Sequence, residues 1–182
     1  MRRIGFFPRL GALVIDWIFG GVFASVLSAI FGVLGLGAGG ALGLAVDDIA
    51  EMEDALEAAG IGAGIGVIIG VIVGLVIGYF LYSLIEAFTG ASPGKMVLGF
   101  KVGNEDGSAG DSTLYLKRWV IKNASSVFSI LTLITGLAFL QPIGSLIGIV
   151  MFFGCFLAFS EDHQALHDKI AKTAIYNKQD LI

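Results

Sequence analysis

The sequence has few charged residues, only one cysteine and only three prolines. Only 14% of its 182 residues are charged, whereas about a quarter are charged in a soluble domain. Instead, 56% are hydrophobic, and they occur in long uninterrupted runs. A run of about 18 or more apolar residues is long enough to cross a bilayer as a helix. The shortage of charge excludes a soluble domain and predicts a single-domain, all-α integral membrane protein.

Catalytic and cofactor-binding motifs are also missing. Cys155 is the only cysteine, so the chain can form no internal disulfide. The GASPGKM segment has one residue too few between its glycines for a phosphate-binding loop, and Met96 replaces the Ser or Thr that binds magnesium. HQALH would place His163 and His167 on one face of a helix, but Gln164 replaces the glutamate of a zinc protease. We expect no enzyme activity, cofactor, metal site or nucleic-acid partner.

The apolar runs predict four transmembrane helices, at about residues 10–34, 61–88, 119–140 and 143–159. The last two divide a 41-residue stretch whose one charge is Lys122, because that stretch is too long for one crossing. Their predicted turn is at Gln141 and Pro142, since proline breaks a helix interior. The alternative has three crossings, with 119–140 lying along the membrane surface.

The basic residues predict the orientation. All eleven lie within residues 2–9, 95–122 and 169–178, and the bias of basic residues toward the inside places these regions in the cytoplasm. Both termini, the loop 89–118 and the tail 160–182 are then cytoplasmic. The segment 47–60 carries six acidic residues and no basic one, so we expect it outside.

The loop 89–118 carries its own local signals. We place Lys95 and Lys101 on the cytoplasmic surface, with Lys95 facing lipid phosphates or an acidic partner. An extended segment should turn at Asn104 to Gly107. A helix should then begin near Thr113, capped by the residue at position 111 or 112.

Glycines in the first two spans recur every four residues. This spacing gives a flat strip on which another helix backbone can pack closely, and it predicts glycine-zipper packing of helices 1 and 2. A homo-oligomer interface is the alternative use of the same strip. The glycines concerned are Gly35, Gly39 and Gly43 at the end of the first helix and Gly62, Gly66, Gly70, Gly74 and Gly78 in the second span.

Asp16 lies about two helical turns into the first span, where an ionised carboxylate is costly unless it is paired. Arg9 is seven residues away on the same helix, which separates their Cα atoms by about 10.5 Å along the axis. Glu86, near the cytoplasmic end of the second span, and Asp168 in the tail are the competing partners for Arg9. Asp16 is either a protonatable cation site or part of a structural contact between helices.

Three blocks of the sequence resemble the RDD family of small multispan membrane proteins of bacteria and archaea. They are Arg9 with Asp16, YFLYSLIEAFTGASPGKMVLGFKVGNEDG from Tyr79, and QALHDKIAKTAIY from Gln164. The family is named for an arginine and two aspartates, which Arg9, Asp16 and Asp168 match. The resemblance implies the cytoplasmic membrane of a prokaryote. The chain departs from the family pattern in its Gly-rich and acidic insert at about 35–60 and in its long apolar region 119–159.

Two functions are consistent with this sequence. The first is a helix-packing scaffold or accessory subunit that forms a homo-oligomer or joins a larger membrane complex, because the spans contain few polar residues. The second is a sodium–proton antiporter that uses Asp16 as its protonatable site, with a monovalent cation or a proton as substrate. The RDD family has no settled activity. Some of its members have been proposed as sodium–proton antiporters, so the resemblance implies antiport as the second function.

Overall fold

The computed structural model describes residues 2–45 and 52–182. They form two compact units: one contains the residues up to Asp16 together with Leu84–Ile182, and the other contains Trp17–Ser83. The acidic segment is predicted at 47–60. Its residues 47–51 lie outside the described residues. Its remainder belongs to a helix.

The first two helices are longer than the predicted spans. α1 covers Phe6–Leu44 and α2 covers Met52–Thr89, so each is nearly twice as long as the ~30 Å hydrocarbon core of a bilayer. Pro8 is tolerated in the first turn of α1, where its missing N–H has no helical partner. Gly90 ends α2 with a left-handed conformation, φ 74°.

Glycines bring the backbones of α1 and α2 together within the second unit. A Cβ atom at Gly66 would collide with the carbonyl oxygen of Gly35, and one at Gly62 would collide with that of Gly39. Further along, a Cβ at Gly74 would lie 2.5 Å from the Cα of Ser28. Only residues without side chains can occupy these positions at the observed helix separation.

The predicted loop 89–118 contains regular structure. It forms α3 at Pro93–Val97, β1 at Phe100–Asn104 and the start of α4 at Ser112–Lys122. The turn after β1 is closed by a hydrogen bond from Gly107 N to Asn104 O at 3.0 Å. Asp111 caps α4 by accepting from Leu114 N at 2.8 Å. The turn and the cap confirm the local predictions for this region.

The apolar region 119–159 is divided differently from the prediction. α4 ends at Lys122, α5 covers only Ala124–Thr135, and α6 covers Leu140–Gly154 before a 3-10 turn at Cys155–Phe159. The chain turns at Gly136, which is left-handed, and not at Gln141–Pro142. Pro142 lies in the first turn of α6, where proline is compatible with a helix.

Three helices among the described residues are long and apolar enough to cross a membrane: Phe6–Leu44, Glu53–Thr89 and Leu140–Phe159. The predicted helix at 119–140 is not among them, because it is broken near Asn123 and ends at Thr135. At 12 residues, α5 is shorter than the roughly 20 that a full crossing needs.

The C-terminal region adds a short helix and a strand. α7 covers Leu166–Ala171 and β2 covers Thr173–Asn177, which pairs antiparallel with β1. The N-terminal segment joins the edge of β2 through a hydrogen bond from Ile4 N to Ile175 O at 2.8 Å. A small core of Ile4, Val102, Tyr115 and Ile175 lies beneath this sheet. The protein is therefore a helical membrane protein with a small two-stranded sheet.

Candidate functional site

Asp168 is the fully buried centre of an ion-paired site. Its Oδ2 accepts from Arg9 Nη1 at 2.5 Å and its Oδ1 accepts from Arg118 Nε at 2.8 Å. The Arg9 guanidinium also donates to the carbonyl oxygens of Ile4 at 2.9 Å and His163 at 2.6 Å. Asp168 thus connects the start of α1 to α4 through two arginines.

Glu86, near the end of α2, is the second buried carboxylate. It accepts from Lys95 of α3, from Arg118 Nη1 and, at 2.6 Å, from Lys122 Nζ. Lys122 is the most exposed of these cations, with 41% of its side chain accessible. Glu86 therefore binds one cation from α3 and two from α4.

Arg118 joins the two carboxylates into one network. Its Nε faces Asp168, its Nη1 faces Glu86, and its Nη2 lies 3.1 Å from His167 Nε2. The guanidinium is planar and presents its donors in fixed directions, so one side chain can hold three partners at once. We call the set Arg9, Glu86, Lys95, Arg118, Lys122 and Asp168 the ion-pair cluster.

Burial and charge shift the pKa values of the cluster in opposing directions. Burial alone would raise the pKa of Asp168, but Arg118 and Arg9 hold it well below its usual range. Burial lowers the pKa of Lys95 to about 8, although Glu86 opposes this shift. Burial also lowers the pKa of His167 to about 3, and the Arg118 charge adds to the effect. His167 is consequently neutral near pH 7.

Asp16 forms a separate contact with the segment before α3. Its Oδ2 accepts from the Ser92 hydroxyl at 2.5 Å, and its Oδ1 accepts from Gly94 N at 2.7 Å. Gly94 is needed here, because a Cβ atom would collide with the carbonyl oxygen of Ala12 and lie 2.9 Å from Asp16 Cγ. Asp16 therefore satisfies a backbone donor at the start of α3.

The structure selects among the partners considered for Arg9. It forms an ion pair with Asp168, whereas Asp16 contacts α3 and Glu86 binds the cations of α3 and α4. Arg9 and Asp168, two of the three family-type residues, thus meet directly. The third, Asp16, holds a neighbouring part of the same unit.

Lys95 occupies a different environment from the one predicted. Lys95 is buried against Glu86 and does not face lipid phosphates. Lys101 lies in β1 with its Nζ 5.7 Å from the centre of the Tyr115 ring, a cation–π distance. The Lys95 side chain therefore points into the protein, whereas a lysine in a solvated loop would point into water.

His163 and His167 do not share a helical face. His163 precedes α7 and has a left-handed backbone with φ 50°, whereas His167 lies inside α7 and is buried. Asp168 Oδ2 accepts from the backbone N–H of Ala165 at 3.3 Å, which fixes the helix start after the first histidine.

The sequence did not identify Arg118 and Lys122 as members of the ion-pair cluster, and it did not predict the contact of His167 with Arg118. Arg118 and Lys122 are four residues apart on α4, so both point toward α2. The available signal was this four-residue spacing of two cations at the edge of an apolar run. It indicates a shared carboxylate partner, which is Glu86 at the end of α2.

The long apolar helices and the buried ion-pair cluster at their ends define a helical integral membrane protein. The family model of the RDD family matches residues 3–172. The chain therefore belongs to the RDD family. No curated protein and no solved structure matches it.

Proposed function

We propose that this protein is a helix-packing scaffold or accessory subunit of the cytoplasmic membrane of a prokaryote. The observation that carries the proposal is the ion-pair cluster, in which two buried carboxylates hold four cations from three different helices. Such a network fixes the relative positions of these helices, because removing a buried member such as Arg118 or Asp168 leaves its buried partners with less charge compensation. Its chemistry suits a structural role and no enzymatic one.

The glycine strips support the same function. They bring α1 and α2 into backbone contact in the second unit, and close packing is the main source of stability between helices in lipid. We propose that this glycine zipper works within one chain. An oligomer or a larger complex then forms through other surfaces of α1 and α2, which expose large apolar side chains such as Leu42 and Val76.

Assembly in the native membrane tests this proposal. The protein would be extracted with its surrounding lipid by a detergent-free polymer, and the mass of the particle would be measured. We expect an oligomer or a complex with another protein. Arg118→Met should disrupt it, whereas Lys117→Met, a change at an exposed neighbour, should not. A monomer without partners would contradict the proposal.

Sodium–proton antiport is the second candidate function. It is favoured by Lys95, a buried amine whose pKa is lowered to about 8 by burial and which directly follows Gly94, a partner of Asp16. A lysine with such a pKa can exchange a proton near neutral pH. In the antiport mechanism, Asp16 binds the cation or proton that is transported.

Proton flux in proteoliposomes distinguishes the two candidates. Antiport predicts a sodium-dependent pH change that Asp16→Asn abolishes and that Asp54→Asn, at an exposed carboxylate in the first turn of α2, leaves intact. Flux that survives Asp16→Asn would exclude Asp16 as the transport site. Absence of any sodium-dependent flux in the unmodified protein would favour the scaffold.

A further inference from the structure

The segment from Ser92 to Leu98 packs along the first turns of α1. Gly94 contacts Ala12 and Asp16, and a Cβ at Gly11 would lie 3.8 Å from Leu98 Cδ1. These α1 residues are five to ten positions beyond Phe6, where the candidate span begins. At 1.5 Å per residue they are about 8–15 Å along the helix axis. The segment therefore lies beside a part of α1 that has the composition of a membrane span.

The polar groups of this segment point inward and its apolar groups point outward. Ser92 and Lys95 are buried on Asp16 and Glu86. Met96, Val97 and Leu98 are 46%, 63% and 38% exposed. A loop in water has the opposite arrangement, with charged side chains outside and apolar ones inside.

The backbone of the segment is also satisfied by the protein. Asp16 accepts from Gly94 N, and α3 itself provides bonds from Met96 N to Ser92 O at 2.9 Å and from Leu98 N to Gly94 O at 3.3 Å. Irregular backbone at membrane depth is tolerated only where the protein satisfies its polar groups. This segment meets that requirement.

We infer that residues 92–98 form a re-entrant turn, inserted into the leaflet nearest the chain termini, with Met96, Val97 and Leu98 in contact with lipid acyl chains. The candidate spans in the same unit also expose large apolar side chains, since Leu10, next to the Gly11 that faces Leu98, is 42% exposed and Phe88 at the end of α2 is 68% exposed. Lipid is therefore the occupant of this surface. In this position Asp16 keeps a hydroxyl and a backbone N–H paired where no water is available.

Spin labels test the depth of the turn. In a Cys155→Ser background, which removes the only native cysteine, Val97→Cys and Met96→Cys would be labelled separately. The labelled proteins would be placed in phosphatidylcholine–phosphatidylglycerol vesicles. Collisions of each label would be measured with oxygen, which concentrates in the acyl region, and with a water-soluble nickel chelate.

Two control positions set the scale. Asp106→Cys lies in the exposed turn after β1, and Val76→Cys lies on the exposed apolar surface of α2. We expect the ratio of oxygen to nickel accessibility at positions 96 and 97 to be severalfold higher than at 106 and close to that at 76. The thermal stability of each variant would show that it is folded.

Either of two other outcomes would overturn the inference. A ratio like that of position 106 would place the turn in water. Low accessibility to both reagents would show that protein covers it, either a second copy of the chain or another partner.

Discussion

Arg118 and Asp168 are both buried, at 2% and 0% exposure, and are joined at 2.8 Å between Nε and Oδ1. Fifty positions separate them in the sequence. Because Arg118 also binds Glu86, this one side chain holds the end of α2 and the start of α7 to α4. The stability of the whole unit should therefore depend on it.

Arg118→Met should destabilise the protein by about 3–5 kcal/mol, because it leaves two buried carboxylates without their shared cation. Thermal unfolding in detergent, followed by tryptophan fluorescence, would measure the loss. Arg118→Lys should recover only part of it, since an ammonium cannot bridge two carboxylates in fixed directions. Lys117→Met is the exposed control on the same helix. Equal melting temperatures for Arg118→Met and Lys117→Met would refute the bridging role.

The contact between Arg9 and Asp168 can be measured by a double-mutant cycle. Arg9→Met and Asp168→Asn would each be made alone and together. We expect a coupling energy of about 0.5–3 kcal/mol, the usual range for residues in one ion-pair network. The same cycle with Asp16→Asn in place of Asp168→Asn should give a much smaller coupling. A larger coupling of Arg9 to Asp16 than to Asp168 would contradict the observed pairing.

Substitutions of Asp16 should distinguish the contribution of its bond with Ser92 from that of its bond with Gly94. Asp16→Ala removes both acceptors and leaves the Ser92 hydroxyl and Gly94 N–H unpaired, at a cost of about 1–3 kcal/mol for each buried group. Asp16→Asn keeps one acceptor oxygen for Gly94 but cannot accept from Ser92 with its amide nitrogen. Thermal unfolding should therefore rank the stabilities as Asp above Asn above Ala.

Ser92→Ala is the matched control for this series. Once the hydroxyl is gone, Asp16→Asn should cost less than it does in the unmodified protein. An unchanged cost would show that the bond between Asp16 and Ser92 contributes nothing to stability.

Sequence reasoning identified the charged residues of the site better than it identified their contacts. The apolar setting made Arg9, Asp16 and Glu86 conspicuous, because charges at the ends of spans need partners. Which partners they find depends on how α4 and α7 fold back onto the spans. The 159 positions between Arg9 and Asp168 offer no local signal of contact.

The turn near residue 140 illustrates a different limit. The prediction places a break between two spans at Pro142, but proline is equally compatible with the first turn of a helix. The sequence GLAF, in which Gly136 adopts the left-handed conformation, actually makes the turn. Pro142 is thus a local signal with two structural meanings, and the predicted meaning is wrong. The helix cap predicted at position 111 or 112 is confirmed at Asp111.

The stability should decrease in acid because of His167. Its pKa is about 3 in the folded protein, lowered mainly by burial, and about 6.5 in an unfolded chain. Between these values the unfolded chain binds a proton that the folded protein does not bind. Stability is therefore lost as pH falls from about 6.5 toward 3, by up to about 1.4 kcal/mol per pH unit.

His167→Gln should flatten this dependence between pH 6.5 and 4.5, because glutamine does not titrate. It can still offer Arg118 an oxygen acceptor. Melting temperatures across this range would be compared with those of His163→Gln, which changes the other histidine. The same slope in His167→Gln and the unmodified protein would assign the acid sensitivity to other groups.

Gly66 and Gly64 offer a matched test of helix packing. A Cβ at Gly66 would collide with the Gly35 carbonyl, whereas one at Gly64 would have nothing within 4 Å. Gly66→Ala should force α1 and α2 apart and destabilise the protein by about 1–3 kcal/mol, the usual cost of overpacking. Gly64→Ala should be neutral or stabilise by up to about 1 kcal/mol, because alanine favours a helix more than glycine does. Unfolding in detergent measures both, and equal effects would show that the glycines reflect composition and not close packing.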